Sequence, residues 1–294
     1  MEVFFAFITA VAFGFYYYSI RKGLLTDPQP MLAAFVTLTV NFFFFLILFP
    51  FFVSAALWQW RLVYPFVVAG VLAPGLARIL SYKGLEHLGM SIATPIINSE
   101  TLFSVLMAVI FLQEKINILM FLGIISVIAG LALLSYETGR ANDRKTTGKL
   151  NYFYIFYPLT AAVFYGVSVF LRKFGLVATA SPVLGATVTA GTSWCILTLL
   201  MMKRGRVRAL IKVSKNGLTY FIMGGMMTCV AWLSYFSALN IGRVALVAPI
   251  ANSYSLLTMF LSYVGLRNLE RITIATIVAT GCVVGGIVIL IVGR

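Results

Sequence analysis

Apolar residues run along this chain in ten long blocks, set apart by short polar or turn-forming intervals, and each block predicts a helix. The blocks fall at residues 2–20, 31–53, 62–82, 91–112, 118–135, 152–171, 182–202, 217–239, 244–264 and 272–292. Each is near the roughly 20 residues a helix needs to cross a bilayer. The intervals carry helix breakers, such as Asp27-Pro28-Gln29-Pro30 and Ser181-Pro182. Solid runs such as Asn41-Phe42-Phe43-Phe44-Phe45 show no alternation, which excludes the two-residue period of a membrane β-barrel strand. The pattern predicts an all-α integral membrane protein of ten transmembrane helices.

The pattern also repeats. Thr94-Pro95-Ile96-Ile97-Asn98-Ser99 in the fourth block is matched by Ala248-Pro249-Ile250-Ala251-Asn252-Ser253 in the ninth. Glu114-Lys115 has its echo in Glu270-Arg271, each ahead of a glycine-rich final block, and Phe13 to Arg21-Lys22 is similar to Phe164 to Arg172-Lys173. The matches keep their order. They divide the chain into a first repeat at 1–137, a connection at 138–150 and a second repeat at 151–294. Five helices is an odd number, so the second repeat lies inverted relative to the first. Inverted repeats place a binding site between them near the midplane and allow alternating access by rocking.

Composition agrees with a lipid-facing surface. Of 294 residues 61% are hydrophobic and only 10% charged, and mean hydropathy is +1.01. A water-soluble domain carries about 25% charged residues. The formal charge of +14 does not call for a nucleic-acid partner, because it is unevenly spread. Loops 1–2, 3–4, 5–6, 7–8 and 9–10 carry fifteen Lys and Arg, six of them between Lys203 and Lys215; the opposite face carries six, and Arg78 lies inside a block. Basic loops stay cytoplasmic, so both termini are expected outside the cytoplasm of a cell (inner) membrane protein. The start, Met1-Glu2-Val3-Phe4, lacks a basic region and reads as the first membrane helix rather than a cleaved signal. Cys195, Cys229 and Cys282 are scattered and predict small core residues, while His87 alone makes no metal site. No cofactor or metal is expected.

With five plus five helices, the chain resembles the drug/metabolite transporter superfamily, specifically its EamA-type members. Leu239-Asn240-Ile241-Gly242-Arg243-Val244-Ala245-Leu246-Val247-Ala248-Pro249 is similar to the turn between helices eight and nine of that family. Leu112-Gln113-Glu114-Lys115-Ile116 and Leu269-Glu270-Arg271-Ile272-Thr273 resemble its Gly-Glu-Arg-Leu-type loop, with Gln113 and Leu269 where the family has glycine. Gly123, Gly130, Gly281, Gly285 and Gly286 fit its glycine-marked closing helices. The resemblance covers essentially the whole chain and implies a transporter, while leaving the substrate open. Many relatives of this type run with their termini inside.

Seven of the eight acids fall in loops or at block ends; Glu100 alone lies mid-block. An ionised carboxylate at the bilayer centre costs roughly 2.5–3.5 kcal/mol on insertion scales, so an intramembrane acid marks a functional site by default. Glu100 is therefore the candidate for binding a cationic group or a coupling proton; the plainer alternative is a protonated carboxyl bonded to a neighbouring helix. Helical spacing places Phe103, Ser104 and Met107 on its face, and the repeat puts Tyr254 and Thr258 at equivalent positions. Pro95 and Pro249 are candidate hinges, with Asn98 and Asn252 one turn on to satisfy freed backbone or touch substrate. Arg78 either snorkels to the interface or meets a substrate carboxylate or phosphate. Asn41 is interhelical glue or cavity wall. Tyr17, Trp194 and Trp232, with Tyr16, Tyr165 and Tyr235, are candidate aromatic walls.

The expected function is secondary active transport of a small metabolite or amphipathic compound, by export or exchange, with the proton as candidate coupling ion. The expected partners are a small-molecule substrate, the lipid bilayer and protons, with the chain a monomer or weak dimer. The alternative on the same fold is a flippase for a lipid-linked substrate. A membrane enzyme is disfavoured, because no paired acids and no Cys/His or Ser/His arrangement supply the machinery.

Overall fold

The computed structural model describes residues 1–88, 90–142, 152–203, 213–265 and 273–294. Ten helices there are long and apolar enough to cross a membrane. In chain order they are α1 (Glu2–Thr26), α2 (Pro30–Phe52), α3 (Trp60–Leu88), α4 in two pieces (Met90–Asn98 and Glu100–Phe111) and α5 (Ile118–Asn142). The second half supplies α6 (Phe156–Thr179), α7 (Pro182–Lys203), α8 (Lys215–Ile241), α9 in two pieces (Val244–Asn252 and Tyr254–Gly265) and α10 (Ile274–Val292). No strand occurs among the described residues. The protein is a multi-pass integral membrane protein built of two five-helix repeats.

Four helices run well past the hydrophobic blocks. α1 continues past Arg21-Lys22 to Thr26, α3 continues to Leu88, α5 continues past 135 to Asn142, and α6 continues past Arg172-Lys173 to Thr179. Arg and Lys are good helix formers, so a charged pair does not end a helix. What ends α1 is the Asp27-Pro28 turn, and what ends α6 is Ala180 in the left-handed region (φ 48), ahead of Ser181-Pro182. The Glu270-Arg271 loop, most of the basic 203–215 segment and most of the 138–150 connection lie outside the described residues.

Outward faces are apolar side chains at helical spacing, for example Phe4, Phe7, Val11 and Phe15 along α1. Inward faces are small or tightly packed. α5 meets α10 through glycine: a Cβ on Gly286 would stand 2.9 Å from the Gly123 carbonyl oxygen, and one on Gly123 would stand 2.9 Å from that of Gly286. Reciprocal backbone approach of this kind is how membrane helices pack without a hydrophobic driving force. Gly285, on the same helix, faces open space. Cys229 is buried but Cys195 is exposed on the outer surface, so it is not a core residue.

Three interruptions shape the interior. The Pro-x-x-Asn-Ser motif breaks α4 at Ser99 (φ −65, ψ −3) and α9 at Ser253 (φ −66, ψ −3), the same backbone turn in both repeats. Each serine hydroxyl donates three residues back, Ser99 to the Ile96 carbonyl at 2.6 Å and Ser253 to that of Ile250 at 2.7 Å. The break therefore falls one turn after Pro95 and Pro249, which sit inside the first pieces. The third interruption is in α3, where Ala73 is extended (φ −149, ψ 130) next to Pro74. Its freed carbonyls are answered from α6 and α7: Ser168 donates to Ala69 at 2.9 Å and Ser193 to Gly70 at 2.9 Å. Non-helical backbone at membrane depth is tolerated where neighbouring helices satisfy it in this way.

Candidate substrate cavity

The three breaks converge on an inner cavity of about 130 Å³ between the two repeats. From the first repeat, α1 contributes Tyr16 and Tyr17, α2 Thr37 and Asn41, α3 Arg78, and α4 Asn98 and Glu100. From the second, α6 contributes Tyr165 and Arg172, α8 Trp232 and Tyr235, and α9 Asn252 and Tyr254. The charged residues in this wall are Glu100, Arg78 and Arg172.

Glu100 is the first residue of the second piece of α4, because the helix is interrupted immediately before it. Its carboxylate stands at a helix N-terminus, where negative charge is favoured, and not in the middle of a continuous helix. Asn252 Nδ2 donates to Glu100 Oε1 at 3.1 Å and to Thr101 Oγ1 at 2.7 Å, which ties the two broken helices together across the repeats. Its repeat counterpart, Asn98, instead donates to Ser135 Oγ on α5 at 2.6 Å.

The two arginines differ. Arg172 is 3% exposed, donates from Nη2 to the Ala73 carbonyl at 2.6 Å and lies 4.5 Å from the Trp232 ring centroid. It supports the α3 break and the aromatic wall. Arg78 Nη1 is buried without a hydrogen-bond partner. This side chain does not snorkel to the interface, because the α3 break turns it into the cavity.

A second cavity, of about 560 Å³ and largely apolar, adjoins the first and shares Tyr16, Tyr17, Asn98 and Tyr254 with it. The rings of Tyr17 and Tyr254 stack at 4.7 Å, with 13° between their planes, and separate the two spaces. Leu24, Pro30, Tyr82, Leu85 and Thr94 place the larger cavity toward the end of loops 1–2 and 3–4. The opposite end is sealed by contacts between repeats. Glu114 accepts from the Val244 N–H at 2.8 Å and the Ala245 N–H at 3.0 Å, capping the start of α9. Arg294 of the second repeat pairs with Glu2 of the first at 3.6 Å, and within the second repeat Lys173 donates to the Leu239 and Gly242 carbonyls at 2.7 and 2.8 Å. The turn presenting Glu114 puts Gln113 at φ 54, a conformation that glycine takes most easily, so the family-type glycine position has a backbone reason.

Of the residues singled out from sequence, Glu100, Asn98, Asn252, Tyr254, Arg78, Tyr17 and Trp232 meet around the inner cavity, and Asn41 joins them as wall. Thr258 lines only the larger cavity, donating to the Tyr254 carbonyl at 3.0 Å. Ser104 lines neither. It is 1% exposed, donates to the Thr101 carbonyl at 2.8 Å and packs where Gly166 lets α6 approach closely. Trp194 also lines neither, because it stacks on Phe42 at 5.2 Å and donates to Thr39 Oγ1 at 3.0 Å. Arg172 was assigned to a loop by the sequence pattern, and the structure places it in the wall. The signal that locates it is that no proline falls between it and Pro182, the single Gly175 being tolerable inside a helix.

Ten apolar helices thus surround a cavity lined by charged and aromatic side chains between two like halves. The chain belongs to the EamA-like transporter family, within the drug/metabolite transporter superfamily, and the family pattern matches residues 1–136 and 152–292. This family consists of transporters rather than enzymes. No curated protein sequence matches the chain. Solved structures do match. One of them, described as "Crystal structure of protein", is 14% identical, covers 98% of this chain over 97% of its own length, and superposes with a TM-score of 0.75. At that identity the likeness speaks for the fold alone.

Proposed function

We propose that this protein is a secondary active transporter that moves a small organic solute through the inner cavity by alternating access, with Glu100 carrying the coupling proton. The observation that supports this reading best is the Glu100–Asn252 bridge, which joins the two broken helices at the seam between the repeats. A proton on that carboxyl changes what holds the seam, so proton binding and the rocking of the halves share one contact. The stacked Tyr17–Tyr254 pair serves as the thin gate toward the larger cavity, and the Glu114 contacts as the thick gate at the other end. With the basic loops on the cytoplasmic side, the conformation is inward-facing and both termini lie outside. Arg78, Asn98, Asn252, Tyr17, Trp232 and Tyr254 form the substrate wall, while Pro95 and Pro249 ease bending one turn ahead of each break.

The test is flux into proteoliposomes for a panel of anionic, neutral and cationic aromatic solutes, with and without an imposed proton gradient. Wild type is expected to move at least one solute, faster with the gradient; Glu100→Gln is expected to lose the acceleration. Unchanged rate and pH dependence in Glu100→Gln overturns the coupling role, and no flux above empty liposomes overturns transport. A second reading, flipping of a lipid-linked substrate, draws on the apolar lining of the larger cavity, which suits an acyl or prenyl chain.

A further inference from the structure

We infer that the inner cavity takes a small organic anion, its carboxylate or other oxyanion held by Arg78 and its flat apolar body against the tyrosine wall. The inference rests on the transporter reading above and names the substrate class.

Three observations carry it. Arg78 Nη1 is a buried, charged donor without a partner. A buried unmade bond on a charged group is costly, and an oxyanion entering the cavity would recover it through a charge-assisted bond. Arg172 also has a buried atom without a partner, Nε, but its Nη2 already bonds the Ala73 carbonyl and its guanidinium lies over the Trp232 ring, so its role is to build the wall.

The charge balance points the same way. Two guanidiniums face one carboxylate, and that carboxylate takes its hydrogen bond from Asn252 rather than from an arginine. A cationic solute would add a third positive group, and a neutral one would leave Arg78 unpaired. An anion balances the wall.

Size and shape complete the argument. About 130 Å³ is close to the cavity of about 150 Å³ that accepts a single benzene ring in an engineered protein core. Tyr16, Tyr17, Tyr165, Tyr235 and Tyr254 line the space. One ring bearing one anionic group fits that wall, and a longer tail would extend into the larger cavity.

The experiment is equilibrium binding of radiolabelled benzoate to the full chain in phosphatidylcholine nanodiscs, with competition by phenyl phosphate, benzyl alcohol and benzylamine. Saturable benzoate binding is expected, with competition from phenyl phosphate and none from the alcohol or the amine. Arg78→Gln is expected to weaken binding about tenfold or more, and Arg78→Lys to recover part of it. Unchanged elution and melting of both variants keep a folding defect apart from a binding defect. Repeating the binding in phosphatidylglycerol nanodiscs separates the two sources of the anion. Benzoate displaced by that lipid assigns the oxyanion to a headgroup; benzoate binding unaltered by it assigns a free solute. Absence of benzoate binding, equal binding of benzylamine, or binding indifferent to Arg78→Gln overturns the inference. If a cationic solute crosses proteoliposomes with Arg78→Gln unimpaired, transport stands and the anion assignment falls.

Discussion

Replacing Glu114 with Gln removes the charge that seals one end of the protein while changing the shape of the side chain little. Each carboxylate oxygen accepts one backbone N–H at the start of α9, at 2.8 and 3.0 Å. A hydrogen bond to a charged group is worth about 1.5–3 kcal/mol net, and a carboxylate at a helix N-terminus adds about 0.3–1 kcal/mol. Gln keeps one acceptor, turns an amide N–H toward the other backbone donor and drops the charge. Glu114 is only half-buried, so water returns part of the loss, leaving about 1–2 kcal/mol against the sealed state. That is roughly a 5- to 30-fold shift between the two access states. Spin labels at Ile118 and Ile241, both exposed beside this seal, report its opening by pulsed dipolar spectroscopy. Glu114→Gln should add a longer-distance population that is minor in the wild type. Superimposable distance distributions would refute the reasoning.

Two further outcomes follow from the packing and from the cavity wall. Gly286→Ala should lower the melting temperature of the purified protein, because overpacking against the Gly123 backbone costs about 1–3 kcal/mol, while Gly285→Ala, which meets open space, should leave it unchanged. Trp232→Ala should cut solute flux several-fold by removing the ring beneath Arg172, whereas Trp194→Phe should leave flux within about twofold, since that ring packs on Phe42 outside the cavity.

The helix count and the repeat were legible because they rest on features that a one-dimensional pattern records: block length, and a Pro-x-x-Asn-Ser motif that makes the same turn wherever it occurs. Helix ends were less legible. A charged pair looks like a boundary in a hydropathy pattern, yet Arg172-Lys173 continues a helix whose stop signal comes at Ala180-Ser181-Pro182. That error hid a wall residue. Arg78 was visible as an intramembrane charge, but its direction depends on the α3 break at Ala73-Pro74, and the hydroxyls that make the break tolerable come from α6 and α7. Ser104 and Trp194 show the reverse. Helical spacing puts Ser104 one turn after Glu100 in the same piece of α4, and neither residue type nor spacing reveals that α6 covers that side through Gly166.

Sidedness of the inner cavity tests the whole account. Thr37 lines it from α2 and has been given no part in binding or coupling. In a protein whose Cys195, Cys229 and Cys282 are replaced by alanine, Thr37→Cys can be probed in proteoliposomes of known orientation with a membrane-impermeant thiol reagent. The account predicts labelling from both sides, with the solute that supports flux slowing both reactions. Labelling from one side only, or labelling from both sides with flux undiminished once the cavity is filled by the reagent, would contradict it.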